Sequence, residues 1–226
     1  MDTAVGLVKV YLELCGYFVL AELPVRAPEG GTYRDVTNLD IVAVRFPHPP
    51  LALPGHLARP LDVFLGVDPA LEAFEAGVDV IVGEVKEGRA RLNSALRREE
   101  TIAFALRRLG CCPETTVQAE ARAIARAGAH EMTMPGQVRC RIRLVGFAGS
   151  GNLPEHGVLT VGLGHCAQFI SERLRSARDV LAGTQFKDPV LGLFALQDKL
   201  AHPIGRARGV DDHSAGDGLR GPGSIS

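Results

Sequence analysis

Three charged residues lie where a sheet would normally place hydrophobic side chains. Glu84 and Lys86 end the apolar segment 78–86, which is rich in β-branched residues, and Asp40 interrupts the apolar segment 38–46. Side chains two residues apart on a strand share a face, so Glu84 and Lys86 point the same way. If the two strands pair as a hairpin, Asp40 lies across from Glu84. Such a cluster costs free energy inside a sheet, and we interpret it as a functional site.

The chemistry that suits these residues is hydrolysis of a phosphodiester, whose transition state gains negative charge and whose nucleophile is a weakly acidic water. Carboxylate oxygens of Asp40 and Glu84, with the carbonyl of Val85, form a hard-oxygen site of the kind that Mg²⁺ or Mn²⁺ prefers. The ion would polarise the phosphate and acidify a bound water. Lys86 can orient that water or stabilise the developing charge, and its pKa would be raised by the carboxylates and lowered by burial.

The elements that must position these residues follow from apolar periodicity and from residues that end helices. We predict helices over residues 3–15, 93–109, 116–127 and 167–181, and strands over residues 17–25, 38–46, 78–86, 138–147 and 158–163. Gly16 and Gly110 lie where C-terminal glycines belong, and Asn93 is the expected cap of the second helix. The helix at 167–181 is expected to be the last long one.

Proline and glycine content divides the rest of the chain. Six of the fourteen prolines fall within residues 47–77, which we interpret as an insertion in which Asp68 and Pro69 start two helical turns. Residues 148–202 extend the core. Residues 203–226 contain few apolar side chains and are expected to be disordered, because they cannot offset their ordering entropy by burial. The sequence therefore predicts one α/β domain over residues 1–202.

The order helix, three strands, helix, strand, with Asp40 on the second strand and Glu84-Val85-Lys86 on the third, resembles the PD-(D/E)xK nuclease superfamily. The resemblance covers residues 1–147. It implies the restriction-endonuclease-like αβββαβ core, a mixed central sheet flanked by helices, and a nuclease that uses Mg²⁺ or Mn²⁺. It also implies that Asp40, Glu84 and Lys86 are catalytic, although Leu39 stands where the family's name-giving proline would be.

Many members of this superfamily carry a further glutamate on the first helix, about two turns before its closing glycine. Lys9 occupies that position in this chain, so Glu13 is the predicted substitute and Glu22, on the first strand, is a rival. Members frequently form dimers, so the resemblance admits a homodimer. No segment of the sequence identifies a dimer interface.

Arginines that follow the Glu-x-Lys segment suggest a nucleic-acid partner. Arg89, Arg91, Arg97 and Arg98 could grip phosphates, with a solvated helix face as the alternative role. The net charge of −1 hides a division of the chain, because residues 1–88 hold 6 basic and 13 acidic side chains whereas residues 89–146 hold 11 and 5. The overall charge therefore does not argue against nucleic acid, and with the resemblance it leads us to expect a nucleic-acid partner, DNA in preference to RNA.

Two other functions remain open at this level. One is a non-catalytic nucleic-acid-binding or scaffold protein with a degenerate nuclease fold. The other is a dinucleotide-dependent oxidoreductase, because residues 162–167 fit the pattern G-x-G-x-x-A between a strand and a helix. In this segment, His165 either caps the helix or reaches the rim of the active site.

Cysteine usage and hydropathy give the expected compartment. The five cysteines form no C-x-x-C pair, and no secretory segment or apolar run of membrane-spanning length is visible in the sequence. We expect a cytoplasmic protein without membrane contact.

Overall fold

The structure is a computed structural model that describes residues 2–29, 31–47, 66–89, 94–150, 157–178 and 186–202. Most of the predicted insertion, the predicted cap Asn93, Arg91 and the C-terminal residues 203–226 lie outside the described residues. The side chain of Arg89 lies outside them as well.

The chain forms five helices and six strands within these ranges. The helices are α1 (Thr3–Leu14), α2 (Glu99–Leu109), α3 (Val117–Ala127), α4 (Leu163–Ser176) and α5 (Pro189–Ala201). The strands are β1 (Phe18–Glu29), β2 (Thr32–Arg45), β3 (Val78–Arg89), β4 (Ala129–Met134), β5 (Val138–Ser150) and β6 (Leu159–Gly162).

All six strands belong to one mixed sheet, so the predicted α/β class and mixed central sheet are confirmed. The order is β1-β2-β3-β5-β4, and β6 pairs with the C-terminal half of β5. β1, β2 and β3 are successively antiparallel, whereas β5 runs parallel to β3. The parallel pair requires a crossover, and α2 and α3 supply it between β3 and the β4–β5 hairpin.

Helices cover both faces of the sheet because the central strands are apolar on both sides. On one face, Ile81 and Val85 of β3 pack in a core with α1, α4 and α5. On the other, Val80 and Val82 pack in a second core with α2 and α3. The strict alternation along β3 places Glu84 and Lys86, which are even-numbered, on the α2/α3 side of the strand.

The β1–β2 hairpin changes faces next to the predicted site. Ala21 and Ile41, which pair across the hairpin, pack in the α1 core, but Leu23 and Leu39 two residues further on pack in the α2/α3 core. Regular alternation would keep each pair on one face. Between them Glu22 adopts a φ of +54°, an unusual backbone conformation for a residue with a side chain. The hairpin is therefore irregular at Glu22 and Asp40, where its side chains change faces.

One predicted helix start and one predicted helix length are wrong. The helix predicted from Asn93 begins at Glu99, because Arg98 is extended and the adjacent acids Glu99 and Glu100 occupy the first turn, where carboxylates favour the helix dipole. Asp68 does accept a hydrogen bond from the amide of Ala70, but the two turns predicted after it are a single 3₁₀ turn, Pro69–Leu71, which Glu72 ends in the left-handed conformation.

Three other elements differ from the prediction. The helix predicted at 167–181 begins at Leu163, directly after β6, because Gly162 is extended and serves as the N-cap residue rather than part of a longer turn. The strand β4 was not predicted, since it is short and partly exposed. Helix α5 was not predicted either, although Asp188 caps it and Pro189 occupies its first turn as expected for a helix start.

A buried ionic network fixes the beginning of β3. The carboxylate of Asp79, which is fully buried, accepts hydrogen bonds from the Tyr17 hydroxyl at 2.6 Å and from Arg143 Nη2 at 2.8 Å. Burial raises the pKa of Asp79, but the hydrogen bonds and charge of Arg143 and the Tyr17 hydrogen bond outweigh it and hold that pKa below its ordinary value. The network ties the segment between α1 and β1 to β3 and β5, at the end of β3 opposite to Glu84.

The first prediction concerns this network. Asp79→Asn should lower the free energy of unfolding by about 3 to 5 kcal/mol, because Arg143 keeps its charge in a buried position without its partner. Because the pKa of Asp79 is lowered on folding, its ionised carboxylate adds to the free energy of unfolding at neutral pH, and this contribution is lost as the pH falls through that pKa. The variant lacks the carboxylate, so it should lose less stability in acid than the wild type. Urea unfolding at several pH values measures both effects.

The matched control is Asp35→Asn, which breaks an ion pair with Arg26 in which both side chains are exposed. This change should cost less than about 1 kcal/mol. Equal losses in the two variants would contradict a dominant role for the buried network.

Candidate active site

The structure brings Glu84 and Lys86 together at the C-terminal part of β3. Lys86 Nζ lies 2.5 Å from Glu84 Oε1, as expected for side chains two residues apart on one strand. The glutamate side chain is only 5% exposed, whereas the lysine side chain is 42% exposed. The pair is thus a buried carboxylate whose cation reaches solvent.

Asp40 joins this pair from the neighbouring strand. β2 pairs with β3 from Ile41 to Arg45, and at the next position Asp40 Oδ2 accepts a hydrogen bond from the amide of Val85 at 2.8 Å. The carboxylate therefore occupies the place where a main-chain acceptor would continue the ladder. In a strand, the N–H and C=O of one residue point to the same side, so the Val85 carbonyl also points toward β2.

Close packing just before Glu84 sets this geometry. A Cβ atom on Gly83 would lie 3.1 Å from Ile41 Cβ and 3.2 Å from Phe147 Cε2, so any larger residue would require these neighbours to shift slightly. β2, β3 and β5 are therefore held tightly together one residue before the carboxylate. In the sequence, Gly83 is an isolated glycine within an apolar strand, and such a glycine often marks the close approach of another backbone.

Burial and like charge act on Glu84. Burial raises the pKa of Glu84 above its ordinary value, the nearby Asp40 charge adds to that effect, and the hydrogen bond from Lys86 opposes it without cancelling it. Conversely, the hydrogen bond to Glu84 raises the pKa of Lys86, although partial burial lowers it. Lys86 is therefore an ammonium at neutral pH. The sequence analysis expected the carboxylates to raise its pKa and burial to lower it, and the effect of the carboxylates is the larger.

The donors at this site fit a hard divalent cation. They are the carboxylates of Asp40 and Glu84 and the Val85 carbonyl, which are all oxygen donors. The raised pKa of Glu84 means that its ionised form is unfavourable, and a bound cation would offset that cost. Within the residues that the structure describes, no three His, Cys, Asp or Glu side chains form a group that could hold a metal. An ion here would therefore complete its coordination with water or substrate oxygens.

Glu13 is not brought to this cluster. It lines a cavity with Phe18 and Val44, and Val44 pairs with Val80 of β3, which is four residues or about 13 Å along the strand from Glu84. Its carboxylate instead lies 3.1 Å from the ammonium of Lys9.

Glu22 is closer to Asp40 than Glu13 is. It lies between the cross-strand pairs Ala21–Ile41 and Leu23–Leu39, so it faces Asp40 in the register of the hairpin. Its Oε1 accepts a hydrogen bond from the amide of Asp2 at 2.9 Å, which directs the side chain toward the N-terminus of α1. The rival glutamate is thus adjacent to the site in the sheet.

The predicted phosphate-binding arginines have different surroundings. Arg97 is half-buried and donates a hydrogen bond to the carbonyl of Ala125, in the last turn of α3, so it has a structural role. Arg98, by contrast, is exposed next to the start of α2. The side chain of Arg89 and the whole of Arg91 lie outside the part of the chain described.

A second polar cluster, which the sequence did not reveal, lies on the α1 side of the sheet. Buried Asp68 accepts a hydrogen bond from the Tyr11 hydroxyl at 2.8 Å, and His165 Nε2 lies 2.6 Å from the same carboxylate oxygen. Burial raises the pKa of Asp68, but the Ala70 amide, His165 and Tyr11 together hold it below its ordinary value. His165 therefore anchors the segment around Asp68. From the sequence, only the position of His165 at the start of a helix could have been predicted.

The glycines of the G-x-G-x-x-A segment have a local role in the structure. Gly162 is the last residue of β6 and Gly164 lies in the first turn of α4, and a Cβ atom on Gly164 would meet no atom within 4 Å. In the described ranges, no strand follows α4 to supply the acidic residue that a dinucleotide site uses.

Comparison of the chain with models of protein families, with curated proteins and with solved structures finds no match. Among the helices described, none combines the length and apolar composition needed to cross a membrane.

The second prediction concerns the buried carboxylate. Because the pKa of Glu84 is raised on folding, the wild type loses stability as the pH rises from the ordinary glutamate range of about 4 through that raised pKa. In buffer without divalent metal, Glu84→Gln should therefore unfold at a higher temperature than the wild type at neutral pH. The difference should shrink toward pH 4. Thermal unfolding followed by circular dichroism measures it.

Glu87→Gln is the control, since Glu87 is exposed one residue after Lys86 and should leave the unfolding temperature unchanged. If Glu84→Gln were less stable than the wild type throughout this pH range, the pair with Lys86 would be a net stabilising ion pair and the second prediction would be wrong.

Proposed function

We propose that the protein is a metal-dependent nuclease that hydrolyses phosphodiester bonds, with DNA as the preferred substrate, and that it belongs to the PD-(D/E)xK superfamily. The observation that carries the proposal is the convergence of Asp40, Glu84 and Lys86 where pairing between β2 and β3 ends. Two neighbouring carboxylates beside an ammonium are the groups that such a reaction requires.

The energetics of Glu84 support a functional origin. A buried carboxylate whose ionised form is disfavoured reduces stability at neutral pH, and a valine there would fit an apolar strand better. Residues that reduce stability in this way are typical of active sites.

The order of elements also supports the proposal. The helix α1, the antiparallel strands β1, β2 and β3, the helices α2 and α3, and the parallel strand β5 follow the αβββαβ order of the restriction-endonuclease-like core. The candidate residues lie near the C-terminal ends of the parallel strands, where α/β proteins commonly bind ligands. Strand β4 and the elements after β5 are additions to that order.

Each residue then has a defined role. Asp40 and Glu84 would hold Mg²⁺ or Mn²⁺ with the Val85 carbonyl, and the ion, when bound, would supply Lewis-acid polarisation of the phosphate and a more acidic water. The Val85 amide keeps the Asp40 carboxylate oriented toward β3. Lys86 is fixed as an ammonium by Glu84, so it stabilises negative charge on the phosphate or positions the water as a hydrogen-bond donor.

The third prediction is metal-dependent cleavage. Labelled duplex DNA, single-stranded DNA and RNA are incubated with the full chain and Mg²⁺ or Mn²⁺, with and without EDTA. Asp40→Asn and Lys86→Met should each lower the rate by roughly 100-fold or more, because each removes a group that acts on the transition state. Glu87→Gln, one residue beyond the site, should cleave at the wild-type rate.

The outcomes separate the alternatives. Equal cleavage by all variants would identify a contaminant. Retained DNA binding without cleavage in either metal would favour the non-catalytic binding protein. That alternative stays open because Glu13 lies far from the site. Neither binding nor cleavage would refute the proposed function.

The fourth prediction distinguishes the two neighbouring arginines. In an Asp40→Asn background, which prevents cleavage, Arg98→Ala should weaken DNA binding and reduce the slope of log affinity against log salt by about one, as loss of one phosphate contact does. Fluorescence anisotropy over a salt series measures this. Arg97→Ala should instead lower the unfolding temperature, since it removes the hydrogen bond to α3.

Arg108→Ala is the matched control for Arg98, because Arg108 is also exposed but lies at the opposite end of the same helix. An equal effect of Arg98→Ala and Arg108→Ala on the salt slope would show that only general charge is involved and would contradict a specific role for Arg98.

A further inference from the structure

Glu22 has a backbone conformation that residues with side chains rarely adopt. Its φ of +54° lies in the left-handed region, although it stands inside β1, where extended backbone is the rule. In the part of the chain that the structure describes, the other non-glycine residues with positive φ, Glu72 and Gln137, both lie at turns. Backbone strain of this kind persists where the surrounding structure requires it, often next to a functional site.

The neighbours of Glu22 in the hairpin show what its conformation does. The pair Ala21–Ile41 faces the α1 core, and the next pair, Leu23–Leu39, faces the α2/α3 core. A left-handed residue turns a strand out of its regular alternation, as a left-handed glycine does in a β-bulge. The change of face therefore coincides with Glu22.

This change of face alters how β2 meets β3. Continuation of the register beyond Ile41–Gly83 would place Leu39 opposite Val85, and in a regular ladder the Leu39 main chain would take the Val85 amide. Pairing stops at Ile41–Gly83 instead, and Asp40 Oδ2 accepts a hydrogen bond from the Val85 amide at 2.8 Å. A carboxylate thus takes the place of a main-chain acceptor only because β2 has left the ladder.

The side chain of Glu22 joins this point of the hairpin to α1. Its Oε1 accepts a hydrogen bond from the amide of Asp2 at 2.9 Å, and Asp2 caps α1 by accepting one from the amide of Ala4 at 2.8 Å. This contact needs an acceptor and not a charge, so a glutamine in place of Glu22 could keep it.

We propose that Glu22 is a positioning residue for Asp40, whose left-handed backbone turns the hairpin out of the β2–β3 ladder so that the Asp40 carboxylate holds the Val85 amide. This role rests on the proposed function, because the carboxylate that Glu22 positions is the one that would bind the metal. It differs from the metal-ligating role that the resemblance offers for Glu22. In the positioning role, the backbone conformation of Glu22 matters and its charge does not.

Three substitutions separate the backbone of Glu22 from its charge. Glu22→Gly keeps access to positive φ without a side chain, and Glu22→Gln keeps the acceptor without the charge. Glu22→Ile introduces a β-branched side chain, for which positive φ is strongly unfavourable. Gln137→Ile is the matched control, because it creates the same backbone conflict at an exposed turn between β4 and β5.

The fifth prediction uses hydrogen exchange followed by NMR, without metal, and calorimetric titration of the full chain with Mn²⁺. Glu22→Ile should speed exchange of the Val85 amide by about 100-fold relative to the Val82 amide of the same strand, because the strand opens locally. It should also weaken Mn²⁺ binding by roughly 10- to 100-fold, as loss of support behind a metal ligand does. Glu22→Gly and Glu22→Gln should match the wild type in both measurements.

The control should separate a local effect from general destabilisation. Gln137→Ile should lower the unfolding temperature but leave the exchange of Val85 relative to Val82, and the Mn²⁺ affinity, unchanged. An equal relative change in Gln137→Ile would overturn the proposal, and so would unchanged exchange of Val85 in Glu22→Ile.

A role of the Glu22 charge would also overturn the proposal. It would appear as a loss of Mn²⁺ affinity in Glu22→Gln and Glu22→Gly as large as that in Glu22→Ile. If the wild type neither bound Mn²⁺ nor cleaved DNA, the proposed nuclease function would be wrong, but exchange of the Val85 amide would still decide whether Glu22 positions Asp40. The two failures are therefore distinguishable.

Discussion

The hydrogen bond from the Val85 amide to the Asp40 carboxylate is the contact on which the candidate site depends. It lies where β2 stops pairing with β3 and where the β1–β2 hairpin changes faces, so a side chain takes over from the main chain in holding the two strands. The pairing of Ile41 with Gly83 fixes the Asp40 backbone, and this hydrogen bond fixes its carboxylate beside β3. The tight packing around Gly83 limits movement of the strands one residue earlier. A rigid sheet thus supports two carboxylates that would repel each other in isolation.

β3 contains two buried carboxylates whose pKa values are shifted in opposite directions. At the beginning, Asp79 is surrounded by Arg143, Arg141 and the Tyr17 hydroxyl, and its pKa is lowered, so its charge stabilises the fold. Further along, Glu84 has only Lys86 against the effects of burial and Asp40, and its pKa is raised. At Asp79, the protein itself supplies the groups that compensate for burial of the charge. At Glu84 an added cation would relieve the unfavourable charge, which is why we propose function there and structure at Asp79.

Much of the fold was predictable because its signals are local. The apolar runs around β2, β3 and β5, and the glycines after α1 and α2, indicated those elements with errors of a few residues in most of their bounds. Glu84 and Lys86 were predicted to share a face because strand geometry requires it. Errors arose where a local signal was weak or was outweighed: the acidic first turn of α2 marked its start better than Asn93 did, and β4 depends on pairing with β5 rather than on its own pattern.

The sequence by itself determined the α/β class and placed Asp40, Glu84 and Lys86 within strands, because strand periodicity and β-branched composition are properties of short segments. Only the tertiary structure decided which residues meet across strands. It placed Glu13 far from Glu84 and Glu22 beside Asp40, gave Arg97 a structural partner, and joined Asp68 to His165. These contacts join residues from different elements, so they depend on register, helix packing and the twist of the hairpin, which no short segment encodes alone.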